Sequence, residues 1–347
     1  MSVQNVDINF NWKWYLKDLK DVPKKHIKVF SCFSCGGGSS MGYKRNGFDV
    51  IGCCEIDPKI ARVYETNLKP KYLFIKDIRD FNKIPNDELP KELFNLDILD
   101  GSPPCSTFSM AGLREKAWGK EKKFTEGQKL QTLDDLCFEY LKTAEKLKPK
   151  VVLLENVKGL ITGNAKKYAN EIIKRLEKIG YNVQVFLLNS KYMNVPQARE
   201  RVFFIANNQN YPRLDLSFNE KIITYREIRD NDGGKVNKNT VVYKCLSKSQ
   251  KNASEQFLKE KGRQSLFNHT IANLDLPLPT IAAHCTIWDC IKLNNLTHNS
   301  VRNGSTFPQD YDFCDQSPYF ICGMSVPPNM IANIAKQIYL QWFKGND

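Results

Sequence analysis

The 347-residue sequence predicts an α/β fold, in which a Rossmann-like sheet carries helices on both faces and is accompanied by a smaller domain. Short apolar runs alternate with stretches of helical spacing over the first 206 residues, and this alternation is typical of a parallel sheet. A glycine cluster follows the first apolar run directly. After residue 206 the composition becomes rich in Asn, Lys, Gln and Ser, which indicates a second module.

The elements of the first half follow in a regular order. The first apolar run precedes the glycine cluster, and each later run is separated from the next by a polar or helical stretch. Strands are predicted at 27–33, 48–54, 94–100 and 151–154, and helices at 57–67 and 133–147. Apolar content returns at 276–281 and again at 319–343.

Composition and charge narrow the class of protein. The chain has 51 Lys and Arg residues against 38 Asp and Glu, a net charge of +13, which favours a polyanionic partner. No apolar run is long enough to cross a membrane, and the N-terminus lacks a secretory signal. We therefore expect a cytoplasmic protein without a membrane association, whose 11 cysteines are reduced thiols.

The glycine cluster lies in a strand-to-helix turn typical of nucleotide sites. In the segment FSCFSCGGGSSMG, residues 30–42, the turn brings backbone close to a ligand and the helix N-terminus adds amide donors. Glu55 and Asp77 follow the next two strands, where carboxylates suit a ribose and an adenine amino group. Alone, each acid would be a solvated surface group; in this order they indicate an adenosine pocket.

A cysteine in a stiff backbone is the candidate nucleophile. The strand in DILDGSPPCSTFSMAG, residues 97–112, ends at Gly101, and Pro103 and Pro104 restrict the backbone before Cys105. A thiol held there is placed for attack. The alternative, an inert core cysteine, is disfavoured because Ser102 and Ser106 flank it rather than aliphatic residues.

Two further segments carry charged groups toward the same edge. The strand VVLL delivers Glu155 and Asn156, and this carboxylate serves either as a helix N-terminal charge or as an acid/base group. In NVPQARERVFFIA, Arg199 and Arg201 alternate along a strand, with a surface ion pair to Glu200 as the alternative.

The order of these motifs resembles the DNA (cytosine-5)-methyltransferase family, in its bacterial and phage single-chain type. The resemblance runs from about Lys28 to Ile338 and includes EIDPKIARVYETN at 55–67, LPTIAAH at 278–284 and GMSVPPNMIANIAKQI at 323–338. It implies transfer of a methyl group from S-adenosylmethionine to carbon 5 of a flipped-out cytosine in duplex DNA, through a covalent adduct.

The resemblance also implies roles for individual residues. Cys105 would attack carbon 6, Glu155 would protonate ring nitrogen 3, and Asn156 would orient the cysteine loop. Arg199 and Arg201 would contact the base or a phosphate. The cofactor would lie against Phe33, Gly37, Gly38, Glu55, Ile56, Asp77, Ile78 and Pro104, and DNA against Ser109, Arg114, Gln197 and Thr280; no metal is expected.

The resemblance divides the chain into three parts. Residues 1–206 would form the catalytic domain, with 1–26 as an N-terminal extension that either packs on it, the favoured interpretation, or contacts DNA. Residues 207–305 would form the target-recognition domain, with a basic face at 235–263, and 306–347 would return to the catalytic domain. A mobile loop, roughly 108–130, would close over the base.

Departures from the family pattern leave alternatives open. Ser31 replaces an acidic residue, Cys35 a glycine and Met324 an asparagine, all around the methionine end of the cofactor. They favour, as an alternative, a catalytically inactive DNA-binding regulator. A tRNA methyltransferase, which would share Cys105 and Glu155, is disfavoured because the sequence has no Cys-Phe-Thr tripeptide, and a zinc site at Cys32-x-x-Cys35 is disfavoured as well. A monomer is expected, with a restriction endonuclease as partner by analogy; the recognition sequence is not readable.

Overall fold

The computed structural model describes residues 10–104, 136–230, 238–239, 243, 269–283 and 286–345. The predicted nucleophile Cys105, the predicted DNA contacts Ser109 and Arg114, the loop 108–130 and almost all of the basic stretch 235–263 lie outside the described residues.

A seven-stranded sheet forms the centre of the fold, in the order β3-β2-β1-β4-β5-β8-β6. Strands β1 to β5 are parallel to one another, whereas β8 runs antiparallel to both β5 and β6. Its strands are β1 (Lys28–Cys32), β2 (Asp49–Glu55), β3 (Tyr72–Ile75), β4 (Ile98–Gly101), β5 (Val151–Val157), β6 (Asn182–Asn189) and β8 (Glu200–Asn207).

Helices cover both faces of this sheet, which confirms the predicted fold class. In chain order the helices are α1 (Gly38–Arg45), α2 (Pro58–Leu68), α3 (Ile78–Lys83), α4 (Leu136–Leu147), α5 (Lys166–Lys178), α6 (Tyr225–Ile228), α7 (His298–Gly304), α8 (Pro318–Met324) and α9 (Pro328–Ile338). Two short pairs complete the strands: β7 (Gln197–Ala198) with β10 (Leu278–Pro279), and β9 (His269–Ile271) with β11 (Thr286–Trp288).

The sheet separates two apolar layers because side chains alternate along each strand. On one face Phe30 and Leu99 pack with Tyr140 of α4. On the other, Val29 and Ile98 pack with the C-terminal helix α9. Strand β1 lies between β2 and β4, so the strand order reverses between β1 and β4. In α/β sheets, ligands bind in the crevice at the carboxyl ends of the strands at such a point.

The C-terminal helix approaches the first helix closely. A Cβ atom at Gly42 of α1 would lie 2.6 Å from the carbonyl oxygen of Pro328 at the start of α9. Asn46, at the end of α1, donates a 2.8 Å hydrogen bond to the carbonyl of Ala332. The absence of a side chain at Gly42 thus allows the last helices to pack directly behind the glycine turn.

The N-terminal segment packs against this same region. Phe10 and Trp14 are buried, and the Trp14 indole N–H donates to the Thr306 carbonyl at 2.8 Å. The Arg45 guanidinium lies 4.5 Å from the Trp14 ring, and burial lowers its pKa to about 9. Residues 10–21 therefore act as a strap that joins α1 to the segment before α8.

A third apolar cluster joins the residues after 223 to α2 and to the loop before α8. At its edge Asp289 accepts hydrogen bonds from the Tyr225 hydroxyl at 2.7 Å and from Arg229 Nε at 2.6 Å. Burial opposes ionisation of Asp289, but Arg229 and the Lys292 amide outweigh it, so its pKa lies at about 2. This buried ion pair links the end of α6 to the residue that follows β11.

The predicted elements differ from the observed ones mainly at their ends. The strand predicted at 94–100 begins at Ile98, because residues 91–94 form a 3-10 turn. The strand predicted at 151–154 continues to Val157, so Glu155 and Asn156 lie within it and are held by its ladder. In the described part of the chain, no helix has the length and apolar character needed to cross a membrane.

Candidate active site

The glycine turn at the end of β1 is held in a conformation that few residues adopt. Phe33, Cys35 and Gly37 have φ values of 53°, 45° and 79°, in the left-handed region that favours glycine. At Gly38 the constraint is space, because a Cβ atom would lie 2.1 Å from the Val326 carbonyl oxygen. The segment before α9 therefore packs directly against the glycine turn.

Glu55 fastens the end of β2 to this turn. One carboxylate oxygen accepts the Cys35 N–H at 2.9 Å, and the other accepts the N–H groups of Ile56 and Asp57 at 2.9 and 3.2 Å. Burial raises the pKa of Glu55, although these three bonds favour the carboxylate. An anionic acceptor therefore lies at the carboxyl edge of the sheet, beside the glycine turn.

The neighbouring strand end adds the other acidic group. Asp77 caps α3 by accepting the Arg79 N–H at 2.8 Å and pairs with the Arg79 guanidinium at 3.2 Å. Ile78 is buried, and Phe33 packs partly exposed against the core of the same face. Because β3, β2 and β1 are adjacent, Phe33, Glu55 and Asp77 lie along one edge; their contacts to a cofactor stay predictions.

Glu155 and Arg201 form an ion pair between adjacent strands. Arg201 Nε lies 2.9 Å from Glu155 Oε1, and both side chains are almost buried, with 14% and 9% exposed respectively. The antiparallel register places Arg201 opposite Val157, which is two residues after Glu155. The side chains of Arg201 and Glu155 therefore share a face of the sheet. Burial lowers the pKa of Arg201, and the nearby Glu155 carboxylate opposes that change.

The two oxygens of the Glu155 carboxylate differ in their contacts. Within the described residues, Arg201 contacts Oε1, and no hydrogen bond is made to Oε2. The pair thus offers one carboxylate oxygen, held by a cation from behind, to a ligand.

Asn156 links this strand to the loop that leads to Cys105. Its side-chain N–H donates to the Pro103 carbonyl at 3.3 Å, and its own oxygen accepts the Val157 N–H at 2.8 Å. The side chain is buried. This bond holds Pro103 against β5, and the orienting of the cysteine loop predicted for Asn156 stays a prediction.

Arg199 and Gln197 lie elsewhere, in a buried joint. Arg199 donates to the carbonyls of Ile281 and Gly323 at 2.9 and 3.1 Å. Gln197 donates to the Gly304 carbonyl at 3.2 Å and accepts the Ile281 N–H at 2.9 Å. Both side chains therefore join β7 and β8 to the C-terminal half, and the substrate contacts predicted for them stay predictions.

Thr280 belongs to the same joint, since its hydroxyl donates to the Ala198 carbonyl at 2.9 Å beside the parallel pairing of β7 with β10. Sequence reasoning grouped Arg199 with Arg201 because they alternate along one strand. In the structure Arg199 lies between β7 and β8, outside both strands, and reaches the joint, whereas Arg201 lies on β8 and reaches Glu155.

Comparison with known proteins gives the chain its family. The model of the C-5 cytosine-specific DNA methylase family matches residues 27–340, almost the whole sequence. The chain belongs to this family.

Relatives of this chain include bacterial and phage methyltransferases. It is 37% identical over 184 residues to Type II methyltransferase M.FnuDI of Fusobacterium nucleatum, covering 52% of this chain and 46% of the relative. It is 34% identical over 200 residues to Orphan methyltransferase M.SPRI of Bacillus phage SPR, covering 56% and 40%. The chain thus spans about half the length of the curated relatives it matches.

Solved structures share the fold of this chain at low sequence identity. A DNMT2 variant from Spodoptera frugiperda superposes with a TM-score of 0.62 at 16% identity, covering 91% of this chain and all of the other. The Dnmt2 methyltransferase of S. pombe gives 0.61 at 15%, covering 92% and all of the other.

The sequence analysis did not single out one buried carboxylate at the candidate site. Asp100 of β4 is buried beside Ser31 of β1, to which it is hydrogen-bonded. The signal was present, because Ser31 is neutral where an acid is usual and an acid stands on another strand. Sequence alone does not show that the two strands are neighbours.

Proposed function

We propose that this methylase transfers a methyl group from S-adenosylmethionine to carbon 5 of cytosine in a specific duplex DNA sequence. The observation that carries the proposal is the Glu155–Arg201 pair at 2.9 Å, next to the Pro103 carbonyl that Asn156 holds. It supports a site in which a positioned acid and a nucleophile act on the same ring.

The nucleophile in this proposal is Cys105, whose thiolate forms a bond to carbon 6 of a flipped-out cytosine. Glu155 Oε2, protonated when the base is bound, donates to ring nitrogen 3 and offsets the charge that develops there. Arg201 keeps the carboxyl group in place by binding Oε1. Carbon 5, made nucleophilic by this addition, would take the methyl group from the sulfonium of S-adenosylmethionine, and loss of its proton and departure of the Cys105 thiolate then release the methylated base.

The residues at the carboxyl edge fit S-adenosylmethionine, which supplies an electrophilic methyl group when bound. Three successive glycines give the turn backbone amides without side chains of their own, and Glu55 and Asp77 provide acceptors. In the proposal Glu55 holds the ribose hydroxyls, Asp77 the adenine amino group, and Phe33 the adenine face. Gly37, Gly38, Ile56, Ile78 and Pro104 complete this proposed site.

The proposal assigns DNA recognition to residues 207–305. The net charge of +13 supports a polyanionic substrate, and phosphate contacts would make binding depend on salt. In the proposal, residues 1–206 form the catalytic domain and residues 306–347 complete it at its C-terminal end. A monomer in the cytoplasm, with a cognate restriction endonuclease as partner, stays part of the proposal by analogy with the named relatives.

Transfer of a tritiated methyl group from S-adenosylmethionine to DNA tests the proposal directly. The wild-type protein should label duplex DNA, and Cys105→Ser should not; bisulfite sequencing of DNA from expressing cells would then report the sequence context. Labelling of tRNA in place of DNA would favour the tRNA methyltransferase, and labelling of neither would favour an inactive regulator.

A further inference from the structure

A buried carboxylate that has no role in the proposed chemistry lies between the two halves of the site. Asp100, on β4, is only 1% exposed. Its oxygens accept the Ser31 hydroxyl at 2.8 Å and the Tyr43 hydroxyl at 3.2 Å, and the Ser39 hydroxyl is a third donor. Ser31 lies on β1, whereas Ser39 and Tyr43 belong to α1.

All of these donors are neutral. Among the described residues, no Lys, Arg or His forms an ion pair with Asp100. Burial, together with the nearby Glu155 carboxylate, raises its pKa to about 7. A buried anion without a cation is costly, and such groups concentrate at functional sites, where a ligand supplies the missing charge.

The position of Asp100 indicates which ligand would supply the missing positive charge. The register pairs Ser31 with Asp100 at the ends of β1 and β4, so the charge lies just behind the glycine turn. Ser39 occupies the first turn of α1, directly after that turn. When their hydrogens point at Asp100, both serine oxygens keep lone pairs for a donor on the other side.

We propose that Asp100 is a positioning residue for the ammonium group at the methionyl end of the cofactor. Its carboxylate orients the hydroxyls of Ser31 and Ser39 as acceptors and supplies the negative charge that the end of β1 lacks. The proposal rests on the proposed function, because it concerns the same cofactor.

Two adenosine ligands separate this role from a structural one. S-adenosylhomocysteine carries the ammonium group, whereas 5′-methylthioadenosine has the same nucleoside and thioether but no ammonium. In calorimetric titrations, Asp100→Asn should weaken binding of the first about ten- to hundredfold, the value of a charge-assisted hydrogen bond. Binding of the second should change by less than about twofold, since it has no group that the charge attracts.

An exchange variant controls for damage to the fold. Ser31→Asp combined with Asp100→Ser keeps both residue types and moves the charge across one strand, so it should restore S-adenosylhomocysteine binding to within about threefold of wild type. Thermal unfolding of each variant shows whether it is folded at the titration temperature.

Several results would overturn the inference. Equal losses for the two ligands would reveal a loop that is merely distorted, and an Asp100→Asn protein that binds both as wild type does would show that the charge is not used. A folded wild-type protein that binds neither ligand would instead refute the proposed function, and the inference with it.

Discussion

Replacement of Asp100 by asparagine is expected to change how the stability of the protein depends on pH. Burial raises the pKa of Asp100 to about 7, from 3.8 for an ordinary aspartate. Between these two values the folded protein binds a proton that the unfolded chain has released. Stability from this group is therefore present at low pH and is lost as pH rises toward 7.

The magnitude follows from the two pKa values. Each unit between the folded and unfolded pKa is worth about 1.4 kcal/mol, so the full effect is about 4 kcal/mol. From pH 5 to pH 8 the Asp100 contribution to the free energy of unfolding should fall by about 3 kcal/mol. Asparagine does not titrate, so its cost or benefit is the same at every pH.

Urea unfolding of both proteins at pH 5, 6, 7 and 8 measures the effect. The free energy of unfolding of Asp100→Asn minus that of wild type should increase with pH and level off above pH 7. Other titrating groups are common to the two proteins and cancel in the difference. A difference that is flat from pH 5 to pH 8 would show that Asp100 ionises as an ordinary acid and would refute the reasoning.

Three further substitutions test other parts of the structure. Gly38→Ala should destabilise the protein by about 1–3 kcal/mol in urea unfolding, because its Cβ would meet the Val326 carbonyl at 2.1 Å. Trp14→Ala should cost about 3–5 kcal/mol, since the ring is buried and its N–H is bonded, whereas Trp12→Ala, at a partly exposed position, should cost less than half as much. Glu155→Gln should lower the rate of methyl transfer about 10²- to 10⁴-fold, with S-adenosylhomocysteine affinity unchanged; a rate within a few-fold of wild type would remove Glu155 from the chemistry.

The strands and helices near the cofactor edge could be predicted because their signals are local. The apolar run of β1 stops at the glycine cluster, and α2 begins where Asp57 caps its first amides ahead of Pro58. Glu55 and Asp77 could be placed at one edge because parallel strands end together. These inferences need only the period of the sequence and the residues that interrupt it.

Contacts that depend on register between distant segments could not be predicted in the same way. Arg199 and Arg201 differ by two residues and look equivalent in sequence, yet one reaches Glu155 and the other Gly323, 124 residues further along the chain. The difference arises from where the last helices return, and nothing in the strand encodes that. Gln197 is buried for the same reason.

Strand β4 connects the two halves of the site, although it has only four residues. It is bonded to β1 on one side and β5 on the other, so neither of its ends can move independently of the sheet. Asp100 fixes it to the glycine turn, and two residues after its end the Pro103 carbonyl is held by Asn156. A rigid β4 would set the distance between the proposed cofactor site and the proposed nucleophile, so a variant that shifts the glycine turn should also misplace the loop that leads to Cys105.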